Sequence, residues 1–266
     1  AVAAVPEGAG AGHPGAPLLE VEHVSVVDAR GVERVRDVSF TVRAGEIVGI
    51  AGVSGNGQSE LVEAIAGIVA PERGTIRIAG HTLGGGDAEA ARELGLSHVP
   101  EDRHRMGLVT AFPAYENVLL GWHLASRYGH GPLIDLPATL ADTTGKMQRF
   151  DVRPQDASLK TANFSGGNQQ KLVIAREIET DPKVLIVAQP TRGVDIGAIE
   201  FIHRQILAMR DAGKAILLIS VELDEIFALS DRILVMCGGV LVGERSRNAT
   251  DIGEIGLMMA GVEAAA

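Results

Sequence analysis

A single cysteine, Cys237, occurs in the 266 residues. One thiol makes no internal disulfide and no cysteine-cluster metal site, a usage that suits a reducing compartment. Aromatic residues amount to 3%, and Trp122 is the one tryptophan. That is too few for a base-stacking platform or an aromatic membrane belt. Basic residues are in deficit, 24 Lys plus Arg against 34 Asp plus Glu, for a formal charge of −10. The sign is wrong for holding a polynucleotide by its phosphates, so no nucleic-acid partner is expected. No run reaches the roughly 18 apolar residues of a spanning helix, and the Ala-rich start lacks the basic and apolar regions of a signal peptide. The histidines, from His13 to His203, show no HxxxH or HxxxxH spacing, and no Ser-His-Asp order is evident, which sets metalloenzyme and serine-hydrolase chemistry aside.

With 46% hydrophobic residues, the chain can bury the core of one large α/β domain. It starts at Ala1 rather than Met, and Ala1 to Pro17 is a Gly/Ala/Pro-rich run without periodicity. That composition predicts a linker at 1–17 and a C-terminal half of something longer. Leu19 to Val26 and the alternating Val38, Phe40 and Val42 predict an antiparallel β flank. Ile47 to Ile50 reads as a buried strand running into a Gly-rich loop, after which Leu61, Ile65 and Ile68 recur at helical spacing. Strands are expected at 75–78 and 96–99. From about Phe112 the pattern turns to scattered Pro and Gly without strand alternation, predicting a small, mostly helical insertion over 112–179. Further on, 184–187 and 215–219 are all-apolar strands, 198–209 and 222–229 helices, 233–242 a hairpin around Gly238-Gly239, and 252–259 a last helix. A tail at 262–266 completes the chain.

The Gly-rich loop reads Gly52-Val53-Ser54-Gly55-Asn56-Gly57-Gln58-Ser59-Glu60. Its spacing is that of a phosphate-cradling P-loop: glycines let successive amides turn inward, the helix start adds partial positive charge, and Ser59 stands where a hydroxyl ligates Mg²⁺. The lysine of that pattern is replaced by Gln58. The change removes an interaction worth a few kcal/mol with the β- and γ-phosphates at an effective dielectric of about 20. On this loop alone an ordinary strand-to-helix turn is an equal reading, whereas a dinucleotide fingerprint fits less well because Glu60 follows where a third glycine belongs. A second constellation is Phe164-Ser165-Gly166-Gly167-Asn168-Gln169-Gln170-Lys171, opening a helix, followed by Val184 to Gln189, Pro190-Thr191 and Gly193-Val194-Asp195. Ser165 can cap that helix while Gly166 and Gly167 bare their amides as an anion site. Two glycines in a first turn cost about 1 kcal/mol each, against a purely structural start.

In this order the segments resemble the signature, Walker B strand and D-loop of ABC ATPases, and the likeness extends from Leu18 to Gly261. Gln189-Pro190-Thr191-Arg192-Gly193, Asn168 to Lys171 and Pro100-Glu101-Asp102-Arg103 narrow it to the C-terminal nucleotide-binding half of tandem ATPases that energise simple-sugar and nucleoside importers. The resemblance implies an α/β P-loop fold of ABC type: a mixed central sheet, an antiparallel β flank and a small helical subdomain. It also implies ATP and Mg²⁺ as cofactors. The partners it implies are an N-terminal ABC domain of the same protein, transmembrane permease subunits and, indirectly, a solute-binding protein, with the chain peripheral on the cytoplasmic membrane face.

Against the family pattern, the positions that handle γ-phosphate and water are changed. Ala188 stands at the Mg²⁺-holding aspartate, Gln189 at the catalytic glutamate and Val221 at the switch histidine. A glutamine hydrogen-bonds but cannot act as the base. No aromatic residue lies between His23 and Phe40, where such domains place the ring that stacks on adenine. Glu101 falls in the Q-loop position, with 100–103 and Tyr115 to Val118 flanking the permease-contact surface, and Asp195 keeps the D-loop carboxylate. The resemblance thus implies a half without working chemistry that lends Ser165, Gly166, Gly167 and Gln169 to a nucleotide held by the other half. A non-hydrolysing regulatory ATP-binding module is the alternative. A repair or translation ABC protein would need a coiled-coil insertion or a basic segment, and the sequence has neither.

Overall fold

The computed structural model describes residues 12–123, 125–130 and 133–262, without the side chain of His130. The elements in chain order are β1 (Pro17–Val27), β2 (Glu33–Arg43), β3 (Glu46–Ala51), α1 (Gln58–Ile65), β4 (Arg73–Ile78), β5 (His81–Thr82), α2 (Ala88–Glu93) and β6 (Leu96–Val99). Then come α3 (Ala114–Leu119), β7 (Gly129–His130), β8 (Leu133–Ile134), α4 (Leu136–Arg149), α5 (Gly166–Ile178), β9 (Val184–Ala188) and α6 (Ile196–Asp211). The last elements are β10 (Ala215–Ser220), α7 (Leu223–Leu229), β11 (Arg232–Cys237), β12 (Val240–Ser246) and α8 (Ile252–Met259).

The chain divides into two compact units. Of the described residues, one takes those up to His98, Pro182–Gln189 and those from His203 on; the other takes those within Val99–Asp181 and Pro190–Ile202.

The first unit holds two sheets. A mixed sheet runs β12-β11-β3-β10-β9-β6, and an antiparallel one runs β2-β1-β4-β5. In the mixed sheet β11, β3, β10 and β9 are mutually parallel, with β12 antiparallel at the edge. Every residue of β3, β9 and β10 is buried, which is why these strands read as unbroken apolar runs: a parallel strand covered on both faces has no wet side to alternate toward. β12 alternates Gly243, Glu244, Arg245 and Ser246 between half-buried and exposed, the polar dressing of an edge strand. The core joins both sheets through Leu19, Val21, Val38, Val42, Ile50, Leu61, Ile65, Ile186, Leu217 and Leu234.

The linker expectation for this unit needs adjusting, and one helix was not foreseen. Residues 1–11 lie outside those described, but residues 12–16 are pinned: Gly12 N–H donates to Asp231 Oδ1 at 2.8 Å, and Gly15 N–H to Ala44 O at 2.8 Å. The Ala/Glu-rich stretch after Gly84-Gly85-Gly86 forms α2, capped by Asp87, whose carboxylate accepts from Ala90 N. The tail at 263–266 is outside the described residues.

The second unit is built mainly of α3, α4, α5 and the first turns of α6. It begins before residue 112, because Asn117 gathers the preceding loop. Asn117 Oδ1 accepts Val109 N–H at 2.8 Å, while Nδ2 donates to Val109 O at 3.1 Å and Phe112 O at 3.2 Å. Strands were not expected here, yet β7 and β8 pair as a small hairpin, Gly129 with Ile134 and His130 with Leu133. Runs of two residues are too short for alternation to signal. α4 starts at Asp135, whose Oδ1 accepts Ala138 N–H at 2.9 Å, with a proline in its first turn, as caps and φ preference dictate. On α4 the Lys146 ammonium, 1% exposed, bridges Asp142 at 2.8 Å and Glu179 at 3.0 Å.

Candidate nucleotide-binding site

In the first unit the register pairs Ser220 with Ala51 and Ile219 with Ala188, so three adjacent parallel strands end level with one another. Their carboxyl ends release the Gly-rich loop, Val221 and Gln189 along one edge. Loops leaving the carboxyl ends of parallel strands are where open α/β sheets bind ligands.

The loop after β3 requires its glycines. Gly55 has φ +88 and Gly57, the residue before α1, has φ +97; a Cβ on Gly57 would lie 2.3 Å from Arg34 O. Asn56 braces the loop to the β11–β12 turn: its Oδ1 accepts Gly238 N–H at 3.2 Å and its carbonyl accepts Gly239 N–H at 3.1 Å. Gly239 O in turn accepts Arg36 N–H at 2.8 Å. Ser54, Gly55 and Ser59 are exposed, whereas Gln58 is 7% exposed and donates from Nε2 to Val53 O at 3.2 Å. Its amide fills the space beside Gly52, where a Cβ would meet Nε2 at 2.1 Å. The loop therefore presents backbone amides and a helix start, but its lysine-position side chain turns back onto the loop and carries no charge. Glu60, in the first turn of α1, opposes an anion there.

Ala188, 3% exposed, supplies no side-chain oxygen, so the donor set fits phosphate oxygens through the loop amides but lacks a carboxylate for Mg²⁺ beside Ser59. Among the described residues no group of His, Cys, Asp and Glu could hold a metal. Gln189 is 9% exposed, has φ +50, and donates its backbone N–H to Ile219 O at 2.8 Å. Its Oε1 accepts Val221 N–H at 3.4 Å.

In the second unit Ser165 caps α5: its Oγ accepts Asn168 N–H at 3.4 Å and Asn168 Nδ2 at 2.9 Å. The two glycines that follow are also closely packed. A Cβ on Gly166 would lie 2.7 Å from Gly193 O, and one on Gly167 2.7 Å from Asp195 Oδ2. Asp195 Oδ1 caps α6, accepting Ala198 N–H at 2.9 Å. Sequence reasoning saw these glycines as amide-baring and missed that they also let the 191–195 loop press on the helix start.

Gln169 faces inward at 6% exposure, with both ends of its amide engaged. Oε1 meets Arg103 Nε at 3.3 Å and His104 Nε2 at 2.8 Å, and Nε2 donates to Thr161 O at 2.9 Å. Asn168, one residue earlier, is half-buried, and its Oδ1 accepts Arg153 N–H at 2.8 Å. Glu101 pairs with Arg192 Nη1 at 3.3 Å on the exposed side. Of the expected contact residues 115–118, Tyr115 and Glu116 are half-exposed and bonded to each other, but Asn117 and Val118 are interior. Asp102, which caps the turn 103–107, is held below the usual carboxylate range by the N–H groups of Arg105 and His104, against a smaller desolvation effect.

A Gly-rich loop between strand and helix at the carboxyl edge of a mixed sheet, with a separate unit carrying a serine-capped Gly-Gly helix, defines a nucleotide-binding cassette. The ABC transporter family profile matches residues 35–192, and the chain belongs to that family. It is 45% identical over 251 residues to the guanosine import ATP-binding protein NupO of Bacillus subtilis (strain 168), covering 94% of this chain and 49% of that protein. It is 42% identical over 254 residues to the nucleoside import ATP-binding protein NupA of Lactococcus lactis subsp. cremoris (strain MG1363), covering 94% and 50%. The chain thus spans about half the length of these relatives. A nucleotide-free ATP-binding cassette from an ABC transporter superposes with TM-score 0.74 at 20% identity, over 93% of this chain and 96% of that one. Among the described residues no helix is long and apolar enough to cross a membrane.

Proposed function

We propose that the chain is the second, non-hydrolysing nucleotide-binding half of a tandem importer ATPase. It lends the tip of α5 at Ser165, Gly166 and Gly167 to an ATP bound by the other half. The observation that carries this is an asymmetry within one chain. Gln58 is bonded to Val53 O, Ala188 gives no metal ligand and Gln189 is bonded to Val221 N–H, whereas the Ser165 cap and its glycines are intact. Oxyanion stabilisation needs preorganised donors, and the α5 tip keeps them; hydrolysis also needs a base and a metal anchor, and the edge of the mixed sheet has neither. Gln169 belongs to the support of that tip rather than to the donated group.

On this reading ATP and Mg²⁺ are turned over at the other half's P-loop. Nucleotide at the present loop is held weakly, for closure rather than chemistry. The partners are the N-terminal ABC domain, permease subunits reached through the surface around Glu101 and Tyr115 and, indirectly, a solute-binding protein; the complex works on the cytoplasmic face of the membrane. The relatives named for guanosine and nucleoside import support a nucleoside cargo ahead of a sugar. The retained α5 tip argues against a purely regulatory module, which would have no use for it.

The test measures Mg-dependent ATP hydrolysis by this chain alone, by the full-length protein, and by the full-length protein carrying Ser165→Arg. Negligible, substantial and abolished turnover are expected, in that order. Robust turnover by the chain alone overturns the reading.

A further inference from the structure

Arg103 is not among the groups lent to the nucleotide, yet it holds the supports of the α5 tip together. Its guanidinium donates from Nη1 to Arg192 O at 2.9 Å, from Nη2 to Gly193 O at 3.4 Å, and from Nε to Gln169 Oε1 at 3.3 Å. All three acceptors are neutral. A planar fork spanning two loop carbonyls and a side-chain amide sets geometry rather than charge balance, a task a lysine cannot copy. The buried Gln169 amide extends the connection to His104 and to Thr161 O. Three segments therefore converge on α5: the 103–107 turn, the stretch before the helix and the 191–193 loop.

Gly166 links this cluster to the tip itself. A Cβ there would lie 2.8 Å from Arg103 Nη2 and 2.7 Å from Gly193 O, so the guanidinium and the loop carbonyl occupy the room a side chain would need. Burial also pushes the Arg103 pKa down, with Asp102 offsetting part of it.

We infer that Arg103 is a positioning residue: acting through Gln169 and the 192–193 carbonyls, it fixes the Ser165–Gly167 amides in the orientation that serves a nucleotide in trans. The inference rests on the donation reading above. A misplaced donor is felt where charge develops on the transferring phosphoryl group, more than in ground-state binding. Arg103→Ala in the full-length protein therefore lowers kcat for ATP hydrolysis about tenfold or more while KM for ATP changes less than about twofold. Because the two residues act as a unit, adding Gln169→Met to Arg103→Ala costs less than about a further twofold.

A cavity of about 250 Å³ lined by Glu101, Asp102, Arg103, His104, Arg192 and Gly193 adjoins the guanidinium. Guanidinium chloride at sub-denaturing concentration is therefore expected to restore part of the lost kcat in Arg103→Ala and none in Ser165→Arg, a recovery that a merely structural role does not give. If Ser165→Arg abolishes turnover but Arg103→Ala keeps the wild-type kcat, the positioning role is overturned and the donation reading stands. The same holds if the loss follows the melting temperature and guanidinium recovers nothing. If Ser165→Arg leaves turnover intact, the donation reading fails and this inference with it. Should Arg103→Ala not fold, Arg103→Lys, keeping charge and stem without the fork, reads the same split; a wild-type kcat there overturns the proposal.

Discussion

The side-chain oxygen of Gln189 accepts the backbone N–H of Val221 at 3.4 Å. The family resemblance assigns these positions to a water-polarising carboxylate and a phosphate-sensing imidazole; here they close on each other. Gln189 also sits at φ +50, a conformation that disfavours bulky residues. Gln189→Val, which adds β-branching and removes the bond, is expected to lower stability by about 1–3 kcal/mol, read from urea melts. Gln189→Glu alone is expected to leave the isolated chain without measurable Mg-dependent phosphate release, because Ala188 still supplies no metal ligand.

At the loop after β3 the missing element is charge. Gln58→Lys places an ammonium where the amide now bonds Val53 O. It should tighten ATP binding by the isolated chain about tenfold or more, since one added cation beside phosphate is worth over 1 kcal/mol even when screened. Titration calorimetry checks this; turnover should remain absent, separating binding from chemistry at this edge.

The glycines of the α5 tip answer to space. Gly167→Ala would press a Cβ to 2.7 Å from Asp195 Oδ2 and 3.1 Å from Ala198 Cβ, and is expected to cost about 1–3 kcal/mol. Gly256→Ala in α8 meets nothing within 4 Å and is expected to stabilise by about 0.5–1 kcal/mol through helix propensity. The two melting shifts should have opposite sign.

Acid should loosen the second unit through α4. Burial pushes Asp142 up, but Lys146 and Tyr128 outweigh it; burial likewise raises Glu179, and Arg149 with Lys146 outweighs that, so both carboxyls end below their ordinary range. A depressed folded value means the stabilisation is full above the ordinary carboxylate range and lost as pH falls through the folded value. Lys146→Met leaves two half-buried carboxylates short of a cation, Asp142 keeping Tyr128 and Glu179 keeping Arg149, for an expected loss of about 1–2 kcal/mol at pH 7 that shrinks on acidification. Denaturant melts across pH 7 to 3 read both effects.

Much of the fold and part of the site could be read before any coordinates. The apolar runs of β3, β9 and β10 announce buried parallel strands because both their faces are covered, and Gly52 to Ser59 announces its loop because successive amides turn only where side chains are absent. Ser165 reads as a cap from its place before the helix. The β7–β8 hairpin was illegible because two-residue strands have no period, and α2 because its Ala/Glu run carries little apolar signal. Gln169 and Asn168 are both amide side chains at neighbouring positions, and no linear pattern says which turns inward.

The amino-acid order alone determined what chemistry the chain can supply, since the absence of a lysine at 58, of carboxylates at 188 and 189 and of an imidazole at 221 is a matter of which atoms exist. What those atoms face was decided by the tertiary structure. Arg103 lies 66 residues from Gln169 and 89 from Arg192 in the chain, yet bonds both. Those partners became visible only there, because a guanidinium's partners depend on which backbone carbonyls folding leaves within reach.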